Sequence, residues 1–208
     1  MKKELPEKYY LAHFKELITF IDTQCRHLLE QKHVDFINKV NRLTEQGQCM
    51  LARIYSRKPL LVAITTLNYN EIDSPALALE ELKTAQLISH PNYTDYQHVL
   101  AHLTKPVLLA LLAPFDIQPS IKKSVTKAQL VAQTCDFFAT KPEHLTCLYN
   151  QFVINNRFAV YEYFEFLYIG RLSTGDINHQ NSFVLRDLGL RTTRENHTVS
   201  LARFDTLE

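Results

Sequence analysis

Leu103-Thr-Lys-Pro-Val-Leu-Leu-Ala-Leu-Leu-Ala-Pro-Phe115, then a polar loop, then Lys122-Lys-Ser-Val-Thr-Lys-Ala-Gln-Leu-Val-Ala-Gln133 reads as two short helices flanking a lysine-rich connection. Thr104 stands where it can cap the first helix. Thr126 and Gln129 form a Thr-x-x-Gln capping box for the second, which is expected to run to about Phe138. Pro114-Phe115-Asp116 breaks the first helix. Lys105, Lys122, Lys123 and Lys127 are opposed locally only by Asp116 and, further on, Asp136. A hairpin of this kind presents ammonium groups to phosphates, and the helix N-terminus at Thr126 adds N–H donors that favour an anion. A solvated charged face accounts for the spacing equally well.

Working outward, the upstream segment is helical. Tyr10, Leu11, Phe14, Leu17, Ile18, Ile21, Cys25, Leu28 and Leu29 recur in steps of three and four, one face of an amphipathic helix over Tyr9 to Leu29. Helices are also expected at His33 to Leu43 and from about Gln48 to Arg57, the latter ended by Lys58-Pro59. Leu60 to Leu67 is short, apolar and β-branched, so it reads as a strand. Ser74-Pro75 then opens a helix over Ala76 to Gln86, and Leu87-Ile88 reads as a second short strand before a turn at His90-Pro91-Asn92. Helix, strand, helix, strand is the order of a winged helix.

Downstream, Pro142 to Ile169 reads as helical and aromatic, closed by Gly170, with Phe152, Phe158, Tyr161, Phe164, Phe166 and Tyr168 too dense for one helix face. A core role is favoured for these rings over a base-stacking surface. Phe183 to Leu188 is expected to be a last helix, stopped by Gly189, and Thr198 to Phe204 a terminal strand. The expected fold class is therefore mainly α: N-terminal helices with a winged-helix-like α+β unit over residues 1–101, the hairpin over 102–140, and an aromatic helical segment over 141–208.

Composition narrows the function. A formal net charge of +1 over 208 residues leaves any basic footprint local rather than global. Four widely spaced cysteines with no Cys-x-x-Cys pair indicate reduced, mostly buried thiols. The longest apolar run, Val107 to Ala113, is far too short to span a bilayer, and the N-terminus does not read as a signal peptide. Arg53 and Arg57 lie four apart on one helix face and Lys58 follows, making auxiliary phosphate contacts or a solvated helix end. His98 and His102 share the spacing of a zinc pair but lack a third ligand nearby. Glu81-Leu82-Lys83 matches the Glu-x-Lys element of metal-dependent nucleases, but that element needs a strand, where residues two apart share a face, and here it lies in a helix. With no nucleophile pair, phosphate-binding glycine loop or carboxylate cluster, a standalone hydrolase is disfavoured and catalytic and metal residues are expected to be none.

Tyr9-Tyr-Leu-Ala-His-Phe14, Leu51-Ala-Arg-Ile-Tyr-Ser-Arg-Lys58, Leu67-Asn-Tyr-Asn-Glu-Ile72 and the helix at Ala78-Leu-Glu-Glu-Leu82 together resemble the N-terminal half of bacterial Fanconi-associated nucleases. The Leu103 to Gln133 hairpin resembles that family's SAP-like element, and Phe183 to Leu190 also fits the order. The usual SAP glycine is replaced here by Pro114-Phe115-Asp116, while Lys127 matches the lysine that begins the second SAP helix. The resemblance implies a DNA-binding part of a structure-specific 5′-flap nuclease of interstrand-crosslink repair. The catalytic VRR-NUC domain, with its Mg or Mn, would lie beyond this chain, so no cofactor is expected within it. Its partners would be branched or flapped duplex DNA and its own nuclease domain, its place the bacterial cytoplasm at the nucleoid. Under this reading Lys105, Lys122, Lys123 and Lys127 hold phosphates, with Arg53, Arg57 and Lys58 auxiliary. The alternative is a helical protein-interaction module without nucleic-acid binding, using the aromatic C-terminal third.

Overall fold

The computed structural model describes residues 6–115 and 125–169. The chain folds as two compact units that interleave along the sequence rather than following one another. Taking the described residues alone, the first holds those within Met1–Lys58, Leu67–Ile88 and Asn155–Glu208, and the second those within Pro59–Thr66 and Ser89–Ile154. The three consecutive segments expected from the sequence thus differ from the observed division, because the chain crosses between units at Pro59, Leu67, Ser89 and Asn155.

Among the described residues, five helices build the first unit: α1 (Tyr9–Gln24), α2 (Gln31–Arg42), α3 (Glu45–Tyr55), α4 (Pro75–Thr84) and, from far along the chain, the Tyr161–Ile169 helix. The helix α1 buries Leu11, Phe14, Leu17, Ile18 and Ile21, the stripe that the three–four spacing predicts. It ends one residue before Cys25, and the periodicity carries on through a 3₁₀ turn at Arg26–Leu28. Central α3 is buried nearly all round, through Gly47, Cys49, Met50, Leu51, Ala52, Ile54 and Tyr55. Rings fill the space between: Tyr161 stacks on Phe14 at 5.7 Å and meets Tyr55 edge-on at 5.2 Å, while Phe164 meets Phe36 edge-on at 5.6 Å.

The exposed carbonyls at the end of α3 are satisfied from the last segment. Asn155 Nδ2 donates to the carbonyls of Ile54 and Arg57, each at 3.0 Å, and Arg157 Nη1 donates to that of Tyr55 at 3.1 Å. Arg157 also pairs with Glu165 at 2.7 Å; burial pushes that carboxyl above its ordinary range, against the pull of the guanidinium.

At the start of α3, Thr44 caps through its hydroxyl, which accepts from the Gly47 N–H at 3.1 Å. Glu81 on α4 accepts from the Thr44 N–H and hydroxyl, both at 2.7 Å. The approach is close enough that a Cβ on residue 47 would stand 2.3 Å from Glu81 Oε2, which is why a glycine sits inside this helix. The Glu-x-Lys element is indeed helical, and its glutamate caps α3.

Two features of this unit carry stability predictions. Gln86 ends α4 at φ 58°, the left-handed region, with its N–H on the Lys83 carbonyl and the Leu87 N–H on that of Leu82. A side chain there costs about 1 kcal/mol that glycine avoids. Gln86→Gly is therefore expected to raise stability by up to about 1 kcal/mol, read as a higher urea midpoint at unchanged slope.

His33 is 3% exposed at the N-terminus of α2. Its Nδ1 accepts from the Glu30 N–H at 3.0 Å, and its ring stacks on Tyr163 at 4.7 Å. Burial, then the Lys32 charge, lowers its pKa below 6.5, against an opposing pull from Glu30. The unfolded chain then holds the extra proton first, so this residue's contribution is full above about pH 6.5 and declines as pH falls below it. His33→Gln is expected to flatten the urea midpoint between about pH 7 and 5 relative to the parent chain; identical pH slopes would contradict the assignment.

The second unit is built on a three-stranded sheet in the order β1 (Leu61–Ala63), β3 (Phe152–Asn155), β2 (Ile88–Ser89). The pair β1–β3 is antiparallel, with Leu61, Val62 and Ala63 opposite Ile154, Val153 and Phe152. The Leu60 to Leu67 strand is shorter than expected: after Ala63 the chain turns into a 3₁₀ helix at Ile64–Thr66. The expectation of helix throughout Pro142 to Ile169 is corrected here. A 3₁₀ turn at Pro142–Leu145 leads into α8 (Thr146–Tyr149), then into the central strand, then through a second 3₁₀ turn into α9, the Tyr161–Ile169 helix already described. Around the sheet lie α5 (Tyr96–His102), α6 (Lys105–Leu112) and α7 (Lys127–Phe138). Leu61, Val99, Leu100, Leu103, Leu108, Leu112, Leu130, Phe138, Leu145 and Leu148 form one buried cluster.

The expected features at Gly170, Phe183 to Leu188, Gly189 and Thr198 to Phe204 lie outside the described residues. Among those described, no helix is long and apolar enough to cross a membrane. Cys25 and Cys49 are buried, Cys147 is exposed, and all four cysteines are free thiols.

Candidate nucleic-acid interface

Lys105 is the first residue of α6 and Lys127 the first of α7, and both are exposed. The hydrophobic hairpin core of Leu108, Leu112 and Leu130 fixes the two helices within one unit. At α7 the capping box is complete: Thr126 Oγ1 accepts from the Gln129 N–H at 3.3 Å, and the Thr126 N–H donates to Gln129 Oε1 at 3.0 Å. At α6 the cap expectation is corrected, since Thr104 has extended backbone but makes no side-chain capping bond.

The ammonium of Lys105 donates to the carbonyl of Val125, one residue before the Thr126 cap and two before Lys127. The Lys105 ammonium is therefore brought to the helix N-terminus that Lys127 opens, across a sequence gap that spacing alone does not close. The partial positive charge of that N-terminus adds to theirs. Among the described residues no ion pair involves either lysine. Such a concentration of positive charge suits a doubly coordinated anion such as a phosphate. Lys122 and Lys123 lie outside the described residues.

The three auxiliary cations fare differently. Arg53 lies in the last turn of α3 and Arg57 beyond its end at Tyr55, so the shared helix face expected of the two is not formed, and the Arg53 guanidinium is committed internally. It pairs with Glu71, Nε to Oε1 at 3.0 Å, and lies 3.7 Å from the Tyr10 ring centroid and 4.6 Å from that of Tyr69. The Arg53 side chain is 26% exposed and that of Glu71 only 6%. Arg53 is thus corrected from a phosphate contact to an internal clamp, because a buried carboxylate and two rings already hold its charge. Arg57 is half-buried and donates from Nη2 to the Tyr69 hydroxyl at 2.7 Å. Lys58 is exposed.

Sequence reasoning missed Glu71 and Val125, the partners that decide what Arg53 and Lys105 do. For Glu71 the available signal was its place in Leu67-Asn-Tyr-Asn-Glu-Ile72, a segment noted only for its resemblance. The histidine pair leads elsewhere: His102 meets Phe152 edge-on at 5.4 Å, and among the described residues no three His, Cys, Asp or Glu side chains gather as a metal would need.

A mainly helical fold with an N-terminal helical domain, a small sheet and a lysine-tipped hairpin defines the class. Residues 8–89 match the family model described as FAN1, HTH domain. A Fanconi-associated nuclease 1 homolog from Oryza sativa subsp. japonica is 32% identical over 110 residues, which cover 50% of this chain and 11% of the relative. Crystal structures of paFAN1 share the fold. The one bound to a 2-nucleotide 5′-flap DNA with a gap matches with a TM-score of 0.74 at 22% identity, over 92% of this chain and 35% of the other. The one bound to a 1-nucleotide flap matches at 0.63 and 20%, over 94% and 36%. The chain thus spans about a third of these solved proteins and about a ninth of the plant relative.

Proposed function

We propose that this chain is the DNA-gripping N-terminal region of a structure-specific repair nuclease of the Fanconi-associated type. The observation that carries the reading is the pair Lys105 and Lys127 at the α7 N-terminus, in a fold shared with proteins crystallised on 5′-flap DNA. Phosphate contacts of this kind orient a duplex without reading its bases. Lys122 and Lys123 are assigned the same role, with Lys58 auxiliary. The winged-helix-like and SAP-like segments are the platform. Cleavage of 5′ flaps, a role in interstrand-crosslink repair and Mg or Mn chemistry belong, in this reading, to a VRR-NUC domain that this chain would position. That domain is its second partner, and the bacterial nucleoid its place of work.

Fluorescence anisotropy of the purified chain with flapped, nicked and plain duplexes tests the reading. Binding that is insensitive to base sequence and strongest at low salt is expected; failure to bind any duplex at low salt would overturn it. The protein-interaction alternative needed an exposed aromatic surface. Phe152, Tyr161 and Phe164 are instead 4%, 8% and 0% exposed, so those rings are spent on the core.

A further inference from the structure

We infer that the groove formed by the Pro91–Tyr93 loop and the Pro142–Asn150 segment of the second unit is a docking site for an arginine side chain of a partner protein. The groove encloses about 460 Å³, with Asn92, Tyr93, Pro142, Glu143, Tyr149 and Asn150 among its walls. Its loop is held rigid from within. Asn92 Oδ1 accepts from the Thr94 N–H and hydroxyl, each at 2.8 Å, and Asp95 Oδ2 accepts from the Asn92 N–H at 2.9 Å. This fixes Tyr93 outward, 68% exposed, a large ring held in water by a loop that cannot easily withdraw it. On the other wall the Tyr149 hydroxyl donates to the Pro142 carbonyl at 3.1 Å.

The charge of the groove selects the occupant. The Glu143 side chain is 68% exposed, with His144 at 3.9 Å, and the Tyr149 hydroxyl is pushed up by burial and then by Asp95, Tyr96 and Glu143. Lys141, the neighbouring cation, lies over the Phe137 ring at 5.5 Å. Glu143 is the one charged side chain among the lining residues, and a carboxylate beside aromatic rings repels a phosphate chain and attracts a cation. The first unit shows the chemistry at work: Arg53 is held by two tyrosine rings and one glutamate. Tyr93, Tyr149 and Glu143 line this groove as well, with Tyr93 supplying the open ring and Tyr149, 6% exposed, the floor. A planar guanidinium matches that trio better than an ammonium, because it stacks on a ring and forks onto a carboxylate at once. The inference stands independently of DNA binding, which uses Lys105 and Lys127.

The test is an NMR titration of the whole chain with an acetylated, amidated pentapeptide carrying one central arginine, alongside its lysine and citrulline counterparts. The arginine peptide is expected to shift the Tyr93 and Tyr149 ring resonances, and neutral citrulline to bind about fivefold more weakly. Tyr93→Ala and Glu143→Gln, both at exposed positions where folding is undisturbed, are each expected to weaken the arginine peptide about fivefold. Equal affinity for citrulline, indifference to Glu143→Gln, or oligothymidine shifting the same rings while the arginine peptide does not would each overturn the proposal.

Discussion

Glu71→Ala is expected to destabilise the chain by about 3 kcal/mol, a fall in melting temperature of roughly 6–12 °C. The substitution leaves the Arg53 guanidinium between the rings of Tyr10 and Tyr69 with its carboxylate gone. The cost is that of a half-buried charge without its partner, which exceeds anything the pair contributes when whole. The design of the experiment follows from that asymmetry. Adding Arg53→Met to Glu71→Ala removes the stranded charge and keeps a flexible apolar stem between the rings, so the double variant should recover much of the loss. A double variant no better than Glu71→Ala would mean that the clamp acts through packing alone.

The same clamp predicts acid sensitivity. Burial pushes the Glu71 carboxyl up, but the Arg53 guanidinium and its own backbone N–H outweigh this and hold it below the ordinary 4.5. A carboxylate whose folded pKa is depressed contributes stability above its unfolded value and loses it as pH falls through the folded one. The urea midpoint of the parent chain should therefore fall below about pH 4.5 more steeply than that of the double variant.

The second large effect concerns DNA. Replacing both Lys105 and Lys127 by alanine is expected to weaken duplex binding about 60-fold at about 0.1 M salt. Each phosphate contact carries about 0.9 logarithmic units per tenfold change in salt, so two contacts carry about 1.8. The loss should be uniform across sequences, since these side chains are assigned to phosphates and not to base edges. Both residues are exposed, so the melting temperature should barely move, which separates lost contact from lost fold. Arg53→Ala, by contrast, should lower stability and leave the salt dependence of binding alone.

Helices were the legible part of this chain because their evidence is local. The three–four spacing of α1 and the Thr126–Gln129 box both lie within a few residues of what they specify, whereas α3 stops at Tyr55, two residues short of the end expected from Pro59. The strand Phe152–Asn155 was not legible: its apolar residues sit in an aromatic run where a period of two and one of 3.6 cannot be told apart. What makes it a strand is Leu61–Ala63, some ninety positions earlier, and a pairing of that range leaves no local trace. The interleaving of the two units was hidden for the same reason.

The candidate site divides along the same line. The place of Lys127 at a helix N-terminus was legible because its cap is local, whereas the meeting of Lys105 with Val125 depends on how α6 and α7 close on their shared leucines. Arg53 misled because its helix stops at Tyr55, before Arg57, and because spacing does not show what a helix face meets. Glu71, eighteen residues on, decides the matter.

The most direct test is the slope of log K against log salt for the whole chain on a flapped duplex. Four lysines on four phosphates predict a slope of about −3.6, shrinking by about 1.8 when Lys105 and Lys127 are both alanine. A slope near zero, or one that the double substitution leaves unchanged, would contradict the claim that these cations hold the DNA.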